Sequence, residues 1–175
     1  MFIGIFGSRR WCADQAAAVV QHLLHDQGSR HTFVIPAEAS ATNVYSVAAV
    51  ARRLIPAERA HVIGAVGPGI GGLVQRSAMA CRTLAANHGT AYILPAVACP
   101  AMLRPSRTTS RCWGGHGIGS WAEAAYCVGL GVRVVLFTPP PSSWHGFALV
   151  RRITAAGFSA WLLSPRRLAA ASFLS

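Results

Sequence analysis

A glycine-rich turn followed by a helix is the part of this sequence best suited to bind an anion. The turn and the helix lie within residues 114–137, which read GGHGIGSWAEAAYCVGLGVRVVLF. We predict the helix over residues 121–130. The first N–H groups of a helix lack intrahelical partners and carry the positive end of the helix dipole, so a phosphate group could bind there. The candidate contacts are His116, Gly117, Gly119 and Ser120.

Glu123 is the candidate catalytic residue of this segment. It is one of only five acidic residues, and we predict it in the first turn of the helix, beside the anion site. A carboxylate at that place could stabilise positive charge that develops on a bound sugar. The helix dipole also favours an acid in a first turn without any catalytic role, so both interpretations stay open.

Two further turns of small residues follow predicted strands. The first comes after the apolar run at residues 2–6, and the second comes after a run at residues 61–66. Because the carboxyl ends of parallel strands meet at one edge of a sheet, we expect all three turns to gather there and form a phosphate site. The candidate contacts in the two turns are Gly7, Ser8, Arg9, Gly67, Gly69 and Gly71.

The elements that must position these turns alternate between strands and helices. Short apolar runs without polar alternation predict buried strands, and the segments between them have helical spacing. We therefore predict an α/β fold, a Rossmann-like three-layer sandwich with a mainly parallel sheet. Residues 1–164 are predicted to form one domain and residues 165–175 a basic, then apolar, tail. Within the domain, residues 144–156 are predicted to form a helix.

The charge and the composition favour an anionic partner. The formal net charge is +11, which suits a nucleotide or another phosphate-bearing small molecule, and leaves nucleic acid as a second option. The arginines are scattered and form no basic block, which weakens the nucleic-acid option. A hydrophobic fraction of 53% argues against disorder and favours a homo-oligomer that covers apolar surface.

The five cysteines form no Cys-x-x-Cys pair. This pattern favours small buried thiols in a reducing compartment, and hence a cytoplasmic protein. We predict no metal site and no cofactor. No apolar run of about 18 residues is free of glycine, proline and charge, so we expect no membrane span.

Two segments resemble the LOG ("Lonely Guy") phosphoribohydrolases, a family also labelled lysine-decarboxylase-like. Residues 67–95 are similar to the family's glycine-rich turn, alanine-rich helix and strand ending in Ile-Pro. Residues 116–123, HGIGSWAE, resemble the family's Gly-Gly-x-Gly-Thr-x-x-Glu, with Ser120 at the threonine and Glu123 at the catalytic glutamate. The turn at residues 7–9 resembles the wider superfamily that includes the DNA-processing Smf proteins.

This resemblance implies a Rossmann-like, often dimeric enzyme that hydrolyses the N-glycosidic bond of a nucleoside 5′-monophosphate. The family carries a catalytic arginine before the motif, for which Arg107 is our candidate and Arg104 and Arg111 are the alternatives. The segment between Pro95 and Gly114 is short, however, and this favours a non-catalytic nucleotide sensor or a regulatory or assembly subunit. A single-stranded nucleic-acid binder that reuses the fold is the third hypothesis.

Overall fold

Short apolar runs form the central strands of a mixed sheet. The computed structural model describes residues 1–8, 10–26, 30–37, 46–64, 67, 69–114 and 119–166. Within these ranges the strands are β1 (Phe2–Gly7), β2 (Thr32–Pro36), β3 (Ala60–Ile63), β4 (Thr90–Leu94), β5 (Arg133–Leu136), β6 (Ala148–Ala155) and β7 (Phe158–Pro165). They pair in the order β3-β2-β1-β4-β5-β7-β6. Strands β1 to β5 are parallel to one another, and β7 pairs antiparallel with both β5 and β6. The predicted α/β class with a mainly parallel sheet is confirmed.

Helices occupy the connections between the parallel strands. Within the described ranges they are α1 (Ala13–Asp26), α2 (Val47–Leu54), α3 (Gly69–Ala86), α4 (Thr109–Trp113) and α5 (Gly119–Gly129). Short 3₁₀ turns occur at Ala57–Arg59 and Ser142–Trp144. Both α3 and α5 begin inside the glycine-rich turns, and α5 begins two residues earlier than predicted, because tertiary packing overrides the low helix propensity of glycine. None of the helices in these ranges is both long enough and apolar enough to cross a membrane.

The hydrophobic core consists of two clusters that share the strands of the sheet. Ile3 and Ile5 of β1 pack with α1 and α2, whereas Phe6 packs with α3 and α5. The same division occurs in β2, where Ile35 belongs to the first cluster and Val34 to the second. Successive side chains of a strand point to opposite faces, so strands with apolar neighbours on both faces must be apolar throughout.

We predicted a helix over residues 144–156, but most of this segment, residues 148–155, forms the first strand of an antiparallel hairpin. Strands β6 and β7 pair along their whole length, with Ala155 opposite Phe158. The loop residues Ala156 and Gly157 have φ angles of +54° and +77°, the left-handed conformation that a type I′ hairpin turn requires. Because β7 also pairs with β5, the hydrogen bonds of the sheet outweigh the local helix propensity.

The predicted domain boundary falls inside the last strand. Strand β7 ends at Pro165, one residue beyond the boundary that we expected after residue 164. The N–H of Arg166 then donates to the carbonyl of Phe147 at 3.2 Å. The rest of the predicted tail, residues 167–175, lies outside the described residues.

Replacing Ala156 by asparagine should stabilise the hairpin. Among residues with a Cβ, asparagine tolerates the left-handed conformation best, so we expect Ala156→Asn to raise the free energy of unfolding by about 0.5–1 kcal/mol in urea denaturation. Gly157→Ala is the matched opposite, because its new Cβ would meet no atom within 4 Å and only the backbone conformation is penalised. The free energy of unfolding of that variant should be lower by about 1 kcal/mol. Changes of the same sign in the free energy of unfolding of both variants would contradict the type I′ turn.

Candidate functional site

A cleft opens at the carboxyl ends of β1 and β4. These strands are neighbours at the point where the strand order reverses, since β2 lies beside β1 and β5 lies beside β4. In open parallel sheets such a reversal leaves a crevice in which ligands bind. The cleft has a volume of about 710 Å³ and is lined by the turn after β1, the first turns of α3 and α5, and α4.

Residues from two of the predicted turns lie on the surface of this cleft. The predicted site residues that line it are Gly7, Ser8, Gly119, Ser120 and Glu123. The tertiary structure therefore brings together residues that are more than 110 positions apart in the sequence. The predicted contacts Arg9, His116 and Gly117 lie outside the described residues.

The third predicted turn reaches the cleft through different residues. Ile70 and Leu73 of α3 line the cleft, whereas the glycines of the prediction, Gly67, Gly69 and Gly71, do not. Gly67 and Gly69 have φ angles of +92° and +70°, which side chains with a Cβ rarely adopt. These two glycines therefore shape the entry into α3 instead of forming the surface of the cleft.

Hydrogen bonds fix the turn after β1 to the end of β4. The N–H of Ser8 donates to the carbonyl of Leu94 at 3.0 Å, and Oγ of Ser8 accepts from the N–H of Arg10 at 3.1 Å. The indole N–H of Trp11 donates to the carbonyl of Pro95 at 3.1 Å. These hydrogen bonds order this wall of the cleft before a ligand binds, so the wall loses less conformational entropy on binding.

Glu123 lies in the second turn of α5, not in the first turn as predicted. Because the helix begins at Gly119, Glu123 is its fifth residue, and the dipole of the helix favours an acid less at that position. The residue is only 6% exposed, and its Oε1 accepts a 2.7 Å hydrogen bond from the hydroxyl of Ser77 on α3. A buried carboxylate is costly without partners, so this bond helps to keep Glu123 at the cleft.

Two arginines that we did not predict contribute positive charge to the cleft. Arg10 is exposed, and Arg76 reaches the cleft from α3 with its side chain partly buried. Nη1 of Arg76 donates to the carbonyl of Ala37, which follows β2. Among the described residues that line the cleft, Glu123 supplies the single carboxylate, so positive charge exceeds negative charge there.

The structure does not bring the predicted catalytic arginine to the cleft. Nε of Arg107 donates to the carbonyl of Gly129 at 3.1 Å, at the carboxyl end of α5. The cleft lies at the opposite end of that helix, about 15 Å away along its axis. Last-turn carbonyls lack intrahelical partners and attract basic side chains, which explains this position. Of the alternatives, Arg104 donates to carbonyls of its own loop and Arg111 is exposed on α4.

The buried thiols beside the cleft are unreactive. All five cysteines are free, and Cys112 lines the cleft. Burial raises the pKa of Cys112 to about 11, and burial also raises the pKa of the nearby Cys81 well above its usual value. Both thiols are therefore protonated at neutral pH and are poor nucleophiles. In the part of the chain that the structure describes, no group of three His, Cys, Asp or Glu side chains could hold a metal ion.

Ser77 and Arg76 also line the cleft, and neither was predicted from the sequence. For Ser77 a signal was present, because Leu73, Ser77 and Leu84 recur at helical spacing and the serine is a lone hydroxyl in an apolar stripe. A buried hydroxyl needs a hydrogen-bond partner, and the pattern therefore predicts a polar contact on that face. Arg76 carries no comparable signal, since its position depends on how α3 lies against the end of β2.

Comparisons with protein-family profiles, with curated protein sequences and with solved structures find no match to this chain. The resemblance to the LOG phosphoribohydrolases therefore stays a prediction that rests on the sequence motifs.

Removing the Ser77 hydroxyl should destabilise the protein. In Ser77→Ala, Oε1 of the buried Glu123 loses its 2.7 Å donor, so we expect a loss of about 1–3 kcal/mol in the free energy of unfolding. Thr83→Ala on the same helix is the control, because its exposed hydroxyl bonds only to the carbonyl of Met79. That variant should stay within about 0.5 kcal/mol of the wild type. Equal losses of stability in both variants would show that the hydrogen bond to Glu123 contributes no more than the exposed hydrogen bond of Thr83.

Proposed function

We propose that this chain binds a nucleoside 5′-monophosphate in the cleft and hydrolyses its N-glycosidic bond, as a LOG-like phosphoribohydrolase. The observation that carries the proposal is the buried Glu123, held by Ser77 in a cleft that also receives the starts of α3 and α5. The two core clusters support a Rossmann-like three-layer arrangement for the fold. The free thiols support a cytoplasmic setting.

The polar groups of the cleft suit the phosphate end of such a ligand. Ser120 lies in the first turn of α5, where backbone N–H groups have no intrahelical partners. Ser8 faces the same cleft from the turn after β1, and Arg10 and Arg76 add positive charge. Hydroxyl groups, helix starts and guanidinium groups are the partners that proteins use for phosphate.

The carboxylate suits the chemistry at the sugar. When the bond between C1′ and the base breaks, its electron pair leaves with the base and positive charge develops on the ribose ring. A carboxylate near C1′ stabilises that charge, and a largely buried carboxylate does so more strongly because little water screens it. Water then adds to C1′, one of its protons is transferred to the base, and ribose 5-phosphate is released. Among the described residues that line the cleft, Glu123 is the one whose carboxylate can supply this stabilisation.

A non-catalytic nucleotide sensor is the second candidate, and one observation favours it. Arg107 is engaged at the far end of α5, and neither Arg104 nor Arg111 lines the cleft. The family's catalytic arginine therefore has no counterpart at the expected place. A cleft that binds a nucleotide without cleaving it would need the same turns and helix starts, but not that arginine.

Incubation with the four common nucleoside 5′-monophosphates, followed by chromatography for free base, tests the enzymatic proposal. We expect release of base by the wild type and a rate about 100- to 1000-fold lower in Glu123→Gln, which removes the charge but keeps an oxygen that can accept from Ser77. Glu58→Gln is the control, because Glu58 is exposed in the 3₁₀ turn before β3 and should leave the rate unchanged.

Three other outcomes have distinct meanings. Calorimetric binding of a monophosphate without release of base would favour the sensor. Turnover that is unaffected by Glu123→Gln would remove Glu123 from the reaction. Failure to bind any monophosphate would overturn both candidates.

A further inference from the structure

We propose that Arg76 is the residue that recognises the phosphate group, so that the cleft selects nucleoside monophosphates over nucleosides. This inference rests on the proposed function and assigns the phosphate contact to a residue that was not among the binding residues predicted from the sequence. Arg76 lines the cleft, whereas none of the candidate arginines Arg104, Arg107 and Arg111 does.

The guanidinium of Arg76 has unused hydrogen-bonding capacity. Its Nη1 donates to the carbonyl of Ala37, but its Nε is buried and has no hydrogen-bond partner among the described residues. A buried N–H group without a partner is unfavourable, and a ligand oxygen in the cleft would relieve this cost. A residue that lines the cleft thus carries a buried donor without an acceptor among the described residues.

The geometry of the side chain suits a phosphate. With Nη1 turned toward Ala37, the remaining edge of the guanidinium consists of Nε–H and Nη2–H, which point in the same direction. Two parallel donors of this kind bind two oxygens of one phosphate, and arginine is preferred over lysine where such paired contacts are made. The contact with Ala37 also fixes the plane of the guanidinium before a ligand arrives.

The other arginines near the cleft are less suited to this role. Arg10 is exposed, so water already solvates its guanidinium and a phosphate contact there contributes less binding free energy. Arg107 is bonded to Gly129 at the far end of α5. Arg76 also directly precedes Ser77, which holds Glu123. Two consecutive residues of α3 would therefore set both the phosphate contact and the position of the carboxylate that faces the sugar.

Calorimetric titration of four proteins with paired ligands tests the assignment. The proteins are the wild type, Arg76→Gln, Arg76→Lys and Arg82→Gln, and the ligands are AMP, GMP, CMP and UMP with their nucleosides. Arg76→Gln should weaken binding of the preferred monophosphate about 10- to 100-fold, with affinity for its nucleoside unchanged. Arg76→Lys should recover part of the loss, because it restores the charge but not the paired donors.

Arg82→Gln is the matched control on the same helix. Arg82 is exposed and donates from Nε to the hydroxyl of Tyr126 at 2.9 Å, away from the cleft lining. Its substitution removes the same charge and should leave both affinities unchanged. Thermal unfolding of each variant checks the fold. If Arg76→Gln does not fold, the ratio of the affinities for monophosphate and nucleoside in Arg76→Lys decides, and a ratio below that of the wild type supports the assignment.

The outcomes separate this inference from the proposal on which it rests. If Arg76→Gln loses affinity for the monophosphate but not for the nucleoside, the result supports Arg76 as the phosphate contact. Unchanged affinity in Arg76→Gln, or an equal loss for monophosphate and nucleoside, overturns the assignment while the nucleotide site stands. If the wild type binds no monophosphate, or binds it no better than the nucleoside, the proposed function fails and this inference fails with it.

Discussion

A carboxylate buried in a protein must have hydrogen-bond partners, and this requirement links the two helices on which the site depends. Ser77 on α3 donates to Glu123 on α5, beneath the cleft. Small side chains such as Ala78 and Cys81 let the two helices approach closely enough for this bond. Both helices begin at the cleft. The hydrogen bond from Ser77 to Glu123 therefore also fixes the position of one helix start relative to the other.

The walls of the cleft are held by contacts that are independent of that bond. Strand β1 pairs with β4 so that Gly7 lies opposite Leu94, and the chain continues directly into the turn that bears Ser8. On the other side, the indole N–H of Trp121 donates to the carbonyl of Val97 at 2.7 Å, and the ring packs edge-on against Trp144. The loop after β4 is thereby anchored to α5. The cleft is bounded by elements that cannot move separately without breaking buried contacts.

The distribution of charge gives the site its electrostatic character. After Arg59, Glu123 is the only acidic residue of the chain, whereas arginines continue to its end. Glu123 is nearly excluded from water, so solvent screens its charge only weakly. The arrangement is a positive region with one shielded carboxylate inside it, which suits the proposed ligand, with a phosphate at one end and a sugar that would become positive in the proposed reaction.

The sequence by itself determined the α/β class, the parallel strands and the turns that lead to the cleft. These features follow from local patterns: apolar runs, helical spacing, and glycines where the backbone turns sharply. Only the tertiary structure decided that Ser77 holds Glu123 across 46 positions, that Arg76 and not Arg107 faces the cleft, and that residues 148–165 form a hairpin. Each of these depends on a partner far away in the chain, and a local pattern contains no information about which distant partner will pack against it.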